Sequence, residues 1–137
     1  MRIVIDTNVL ISALLWKKKL TPLYHLINQY KITLCFSKAT LAELIRVASY
    51  PHIAAKAEQE KIDLIKIIKQ LTSKSILSQP LKIPYLIQID QFDNHFLACA
   101  QSCGANFIIS GDKHLLKLKE FQGIPIVSPS EFLKYFK

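Results

Sequence analysis

The residue pattern predicts an α/β fold with a mostly parallel sheet, on three observations. Short apolar runs such as Arg2-Ile3-Val4-Ile5 and Asn106-Phe107-Ile108-Ile109-Ser110 lack the polar alternation of a half-exposed strand, so they read as strands buried on both faces. Stretches with apolar residues at helical spacing lie between these runs. Strand and helix alternate along the whole chain, which is the order of βα units in a parallel sheet.

Each element follows from its residues. The first strand covers residues 2–5. Asp6-Thr7-Asn8 ends it, and Val9–Leu15 starts a helix with Thr7 or Asn8 as cap. Leu20–Gln29 is a second helix, with Leu23, Leu26 and Ile27 apolar, Thr21 as cap and Pro22 at the first helical position. Ile32–Phe36 is a strand. Ser37 then caps a helix through about Ala48, with Leu41, Leu44, Ile45 and Ala48 on one face, and Pro51 breaks it. A long helix follows from about Ala55 to Thr72, with Ile62, Ile65, Ile68 and Leu71 aligned. Ser75–Leu77 offers a short strand, and Gln79–Ile89, holding Pro80 and Pro84, reads as a loop. Phe92–Ser102 is helical, with Gly104 as stop signal. Asn106–Ser110 is a buried strand, and Gly111-Asp112 starts a short helix through Lys117. Ile124–Val127 is the last strand, and Pro129 opens a terminal helix through Tyr135.

Composition narrows the classes. At 137 residues, the chain reads as one domain, residues 1–137, and a hydrophobic fraction of 50% supports a real core rather than disorder. No apolar stretch approaches the roughly 18 residues of a spanning helix. The start, Met1–Ile5, meets Asp6 too soon for a signal peptide. The expectation is a soluble, cytoplasmic protein without a membrane role. Cys35, Cys99 and Cys103 form no CxxC pair and read as small buried hydrophobes. His25, His52, His95 and His114 are scattered and supply no zinc spacing. The formal net charge of +8 exceeds what solubility needs and favours a polyanionic partner, nucleic acid or an acidic protein.

Against that basic background stand four acids, Asp6, Glu43, Asp93 and Asp112. Asp6 follows the first strand and Asp112 follows the Phe107–Ile109 run, both where open parallel sheets form their sites. Glu43 lies inside the helix after the second strand, and Asp93 in the first turn of the helix leading to the fourth. One such aspartate is most often just a helix cap; the signal is convergence from separate segments. Gathered carboxylates repel one another unless something positive sits among them, and a hard divalent cation suits oxygen ligands. Other chemistries lack their motifs. Three glycines exclude both GxGxxG and GxxxxGK[ST], Asn8 replaces the second acid of a DxD phosphotransfer motif, and no GxSxG elbow exists.

The block Ile3-Val4-Ile5-Asp6-Thr7-Asn8-Val9-Leu10-Ile11-Ser12-Ala13-Leu14 resembles the opening of PIN domains. Ser37…Leu41-Ala42-Glu43-Leu44, Asp90-Gln91-Phe92-Asp93-Asn94-His95-Phe96-Leu97-Ala98 and Ile108-Ile109-Ser110-Gly111-Asp112-Lys113-His114-Leu115-Leu116 resemble the later blocks, and Ile124–Leu133 the close. The likeness is nearest to VapC-like toxins of toxin–antitoxin pairs. It implies a three-layer α/β/α fold around a five-stranded, mostly parallel sheet. It also implies a Mg²⁺- or Mn²⁺-dependent endoribonuclease that leaves a 5′-phosphate and a 3′-hydroxyl. Asp6, Glu43, Asp93 and Asp112 match the family's acidic quartet, as catalytic residues and metal ligands; Thr7, Asn8 and Ser110 match polar positions that orient carboxylates and waters. His114 stands where a further acid is frequent, which removes a ligand from any second metal position. Asp90 is an extra acid with two readings, a loop cap first and partial compensation for the acid missing at His114 second. RNA, a cognate antitoxin and a second copy of the chain are the partners implied, with Trp16 and Leu14–Leu23 as contact candidates.

Nothing in the residues separates RNA from DNA or from structured nucleic acid. A catalytically silent domain that binds RNA or protein is the other reading, disfavoured by the intact acids. Phosphatase-like chemistry on small molecules is disfavoured by the basic charge. Removing one carboxylate relieves repulsion, so Asp6→Asn is expected to melt no lower than the parent.

Overall fold

The computed structural model describes residues 1–29, 31–84 and 93–136, with the backbone alone at 17–21 and 136. The strands β1 (Arg2–Ile5), β2 (Thr33–Ser37), β3 (Ile76–Ser78), β4 (Phe107–Ile109), β5 (Glu120–Phe121) and β6 (Ile124–Val127) form one sheet in the order β3-β2-β1-β4-β6-β5. Every neighbouring pair is parallel except β5 with β6. The order reverses between β1 and β4, and the crevice beyond the carboxyl ends of strands at such a reversal is where ligands bind in open α/β sheets. Register brings Ile5 opposite Ile109, so Asp6 and Ser110 leave the sheet side by side.

Pleat alternation explains the continuous apolar runs. Ile3, Ile5, Leu34, Phe36, Phe107 and Ile109 pack into one buried cluster. Their alternates Val4, Cys35 and Ile108 pack into another. The first cluster takes residues from α1 (Thr7–Leu15), α2 (Lys17–Asn28), α3 (Lys38–Ala48), α4 (Pro51–Gln59), α5 (Leu64–Ser73) and α8 (Pro129–Leu133). The second takes them from α6 (Asp93–Cys103) and α7 (Lys113–Leu116). The three-layer α/β/α expectation holds, with both sheet faces dry.

Where the structure differs, the cause is local. The sheet has six strands rather than five. Gln122 and Gly123 both adopt positive φ, 49° and 82°, and this two-residue turn folds Glu120–Phe121 back on Ile124–Pro125 as a hairpin. The helix expected at 55–72 is two helices. Lys61 turns left-handed at φ 55°, Ile62 N–H donates to Ala57 O at 2.9 Å, and Asp63 then caps α5 by accepting from Lys66 N–H. Pro51 opens α4 as its first residue rather than only ending α3. Helix α2 starts at Lys17, so Thr21 and Pro22 lie inside it and Thr21 is no cap. Asp6, not Thr7 or Asn8, caps α1. Asp90 and Phe92 lie outside the described residues.

Lys61 in a left-handed turn invites a test. Lys61→Gly removes the Cβ strain of that conformation at an exposed site, and is expected to stabilise by about 0.5–1 kcal/mol. A urea midpoint that moves down instead would contradict the turn.

The three cysteines are buried and free, as small hydrophobes should be. A hydrogen bond with Cys103, and then burial, push the Cys99 thiol well up. Its hydrogen bond with Cys35 pushes Cys103 up to about 11. Both stay protonated near neutral pH. Trp16 is 42% exposed, with Lys56 Nζ 5.7 Å from its ring centroid. Among the described residues no helix is long and apolar enough to cross a membrane.

Candidate active site

The end of β1 delivers Asp6 into the crevice at the strand-order reversal. Its Oδ1 accepts from the backbone N–H of Asn8 at 2.9 Å and of Val9 at 3.2 Å, capping α1. Its Oδ2 accepts from Ser110 Oγ, which follows β4 on the neighbouring strand. Ser110 Oγ in turn accepts from Asp112 N–H at 2.9 Å. Asp112 Oδ1 accepts from His114 N–H at 2.7 Å and caps α7. The two strand-end aspartates are therefore joined through one buried serine, and both do capping work that a purely structural aspartate would also do.

Capping does not explain Glu43, which lies inside α3 rather than at its start. The capping box of Ser37 and Thr40 sets where α3 begins, and Glu43 follows on its next turn. The helix turns Glu43 into the same cavity, about 120 Å³, that Asp6, Asp93 and Asp112 line. Asp93 opens α6 and is 5% exposed, close to the 6% of Asp6. Its Oδ2 is buried and accepts no hydrogen bond, while the residue has other partners. Thr7, buried, and Asn8, exposed, complete the β1 side of the wall. The structure thus brings all four predicted acids, with Thr7 and Asn8, onto one cavity, and holds Ser110 against it through Asp6.

Two lining residues, Arg46 and Phe96, are not among the site residues expected from the sequence. Their signal in the sequence is spacing, each three residues after an acid on a helix, where side chains share a face. Arg46 donates to Glu43 Oε2 from Nε at 3.2 Å and also from Nη2. Positive charge therefore already sits among the carboxylates, supplied by the chain.

The donor set is hard oxygen throughout, which suits Mg²⁺ or Mn²⁺. Among the described residues, no three Asp, Glu, His or Cys side chains stand arranged to hold one ion. Glu43 pairs with Arg46, and both oxygens of Asp6 accept hydrogen bonds, from amides and from Ser110. The residues fit a divalent ion in chemistry, with Glu43 holding Arg46 through Oε2.

A family model described as a PIN domain matches residues 2–114, a span that holds all four acids. An uncharacterized protein of Methanocaldococcus jannaschii, MJ1680, is 28% identical over 145 residues, covering 99% of this chain and 92% of its own length. The crystal structure of PAE2754 from Pyrobaculum aerophilum superposes with a TM-score of 0.55 at 13% identity, covering 98% of this chain and 87% of its own, and shares the fold. PIN domains are generally nucleases and typically use divalent metal ions. With its match running from β1 through Asp112, this chain belongs to the PIN domain family.

Proposed function

We propose that the chain is a Mg²⁺- or Mn²⁺-dependent endoribonuclease that hydrolyses RNA to 5′-phosphate and 3′-hydroxyl ends. The observation that carries this reading is four carboxylates from four separate segments on one cavity, at the strand-order reversal of a chain of formal net charge +8. Asp6 and Asp93 would hold the ion directly, with Asp112 and Glu43 completing its surroundings. A divalent ion bound there supplies Lewis-acid charge for phosphodiester hydrolysis. The chain's own residues do the rest. Ser110 fixes the rotamer of Asp6 from one side while the α1 amides fix it from the other, so the carboxylate is aimed before any ligand arrives. Thr7 and Asn8 face the same cavity and offer groups to orient water. Exposed lysines hold the phosphate backbone without reading sequence.

The resemblance to VapC-like proteins extends the proposal to the toxin of a toxin–antitoxin pair, acting in the cytoplasm, with an antitoxin partner and a homodimer. One observation favours a second reading. Arg46 already neutralises Glu43, as in a site that has given up its metal and only binds RNA or protein.

One experiment separates these. Labelled single-stranded RNA and a DNA oligonucleotide of matching sequence are incubated with Mg²⁺, with Mn²⁺ and with chelator, and the protein is induced in growing cells in parallel. RNA cutting that needs metal is the expected result, with growth arrest if the toxin role holds. Metal-independent binding without cutting would favour the silent domain, cutting of DNA alone would replace the substrate, and undisturbed growth would remove the toxin role.

A further inference from the structure

Arg46 is the one basic side chain among the described residues lining the acidic cavity. It lies one turn along α3 from Glu43, and its guanidinium meets Glu43 Oε2 through two of its nitrogens. The two ends of this pair sit in different surroundings: the Glu43 side chain is 15% exposed and the Arg46 side chain 61%. The carboxylate is anchored inside the cavity, and the guanidinium stands at its mouth. Past the end of α3, at the N-cap of α4, the Tyr50 ring centroid lies 5.9 Å from Arg46 Cζ. A long, flexible cation thereby meets a carboxylate from its own helix and an aromatic ring from the start of the next.

Stability gives little reason for this arrangement, since an ion pair three residues apart with its guanidinium largely exposed contributes little. Recognition gives a better one. A phosphodiester approaching four carboxylates meets repulsion, and something at the entrance must offset it. Guanidinium can do so, because it is planar, always charged and binds phosphate oxygens in pairs. Scattered surface lysines give a diffuse field but no fixed position.

We propose that Arg46 is a phosphate-binding residue of this site, taking a backbone phosphate of the nucleic acid beside the scissile bond, with Glu43 and Tyr50 as its positioning residues. The assignment rests on the nuclease reading above.

The test is binding of a fluorescent single-stranded RNA, measured by anisotropy across a salt series with Ca²⁺ present, for the parent protein, Arg46→Lys and Arg46→Met, each checked for folding by urea unfolding. Arg46→Met is expected to weaken binding about tenfold and to flatten the log–log salt slope by about 0.7, the loss of one phosphate contact on a single strand. Arg46→Lys is expected to restore the slope but not the full affinity, because the paired geometry is gone. Parent-like affinity and slope in Arg46→Met, or tighter binding, would overturn the assignment and leave the nuclease reading standing. A parent protein that neither binds nor cuts any nucleic acid would remove the nuclease reading and this assignment with it.

Discussion

Replacing Asp6 by Asn is expected to cut the rate of metal-dependent RNA cleavage about 10³-fold while the protein stays folded. The magnitude follows from losing several kcal/mol of charge stabilisation at the reacting phosphate when one directly held carboxylate becomes neutral. The structure says why the fold should survive. Asn keeps an oxygen that accepts from Asn8 and Val9 N–H, so the α1 cap persists. The other side of the group changes: Ser110 Oγ now donates to Asp6 Oδ2, and facing an amide nitrogen it loses that acceptor. This costs about 1 kcal/mol, set against the relief of carboxylate repulsion. The melting temperature should therefore move by only a few degrees in either direction, because the residue proved to be a cap and a serine partner as well as one of four repelling acids. Asp6→Ala removes the cap too and should cost about 1 kcal/mol more. Full cleavage by Asp6→Asn would sink the assignment, and a large drop in melting temperature would make Asp6 chiefly structural.

The largest effect on stability is expected at Leu97. It is fully buried, in the cluster that seats α6 on Val4 and Ile108 of the sheet. Leu97→Ala removes buried methylenes and leaves a cavity that helix and sheet can close only in part, for about 2–5 kcal/mol. In a domain of this size that corresponds to a fall in melting temperature of about 10 °C, readable by thermal unfolding. The same helix carries Asp93 one turn earlier, where side chains four apart share a face. Loosening α6 should therefore also lower cleavage measured well below the melt, since small displacements of a reacting group cost rate steeply. A melting temperature unchanged in Leu97→Ala would mean that α6 does not pack on the sheet through this side chain.

The metal question turns on how the cavity is held without an ion. Arg46 supplies, at Glu43, part of the positive charge for which the sequence pointed to a hard divalent cation. The acids lie on one cavity yet are not arranged in a coordinating set. The same pairing is what makes Arg46 a candidate for gripping phosphate and what keeps the silent-domain reading alive, so metal dependence and the Arg46 salt series together decide between them.

Local regularities made much of this protein legible in its sequence. The apolar run at 2–5, the capping serine at 37 and the stop at Gly104 each depend on a few neighbouring residues, and each stands where expected. The position of Asp6 and Asp112 just past strand ends was legible for the same reason, as was the α/β class itself. The break at Lys61 and the hairpin at Gln122-Gly123 escaped, because a left-handed lysine or glutamine is disfavoured intrinsically and is adopted only where packing on both sides requires it. What the tertiary structure alone decided is which strands lie side by side and in what register. Asp6 and Ser110 are 104 positions apart, and only the pairing of Ile5 with Ile109 makes them neighbours. Likewise Arg46 lines the acidic cavity beside Asp6 and Asp112 only because the fold brings α3 to those strand ends. Helices and strand ends are set by contacts a few residues apart, whereas a site of this kind is set by pairings across the whole chain, which no local pattern encodes.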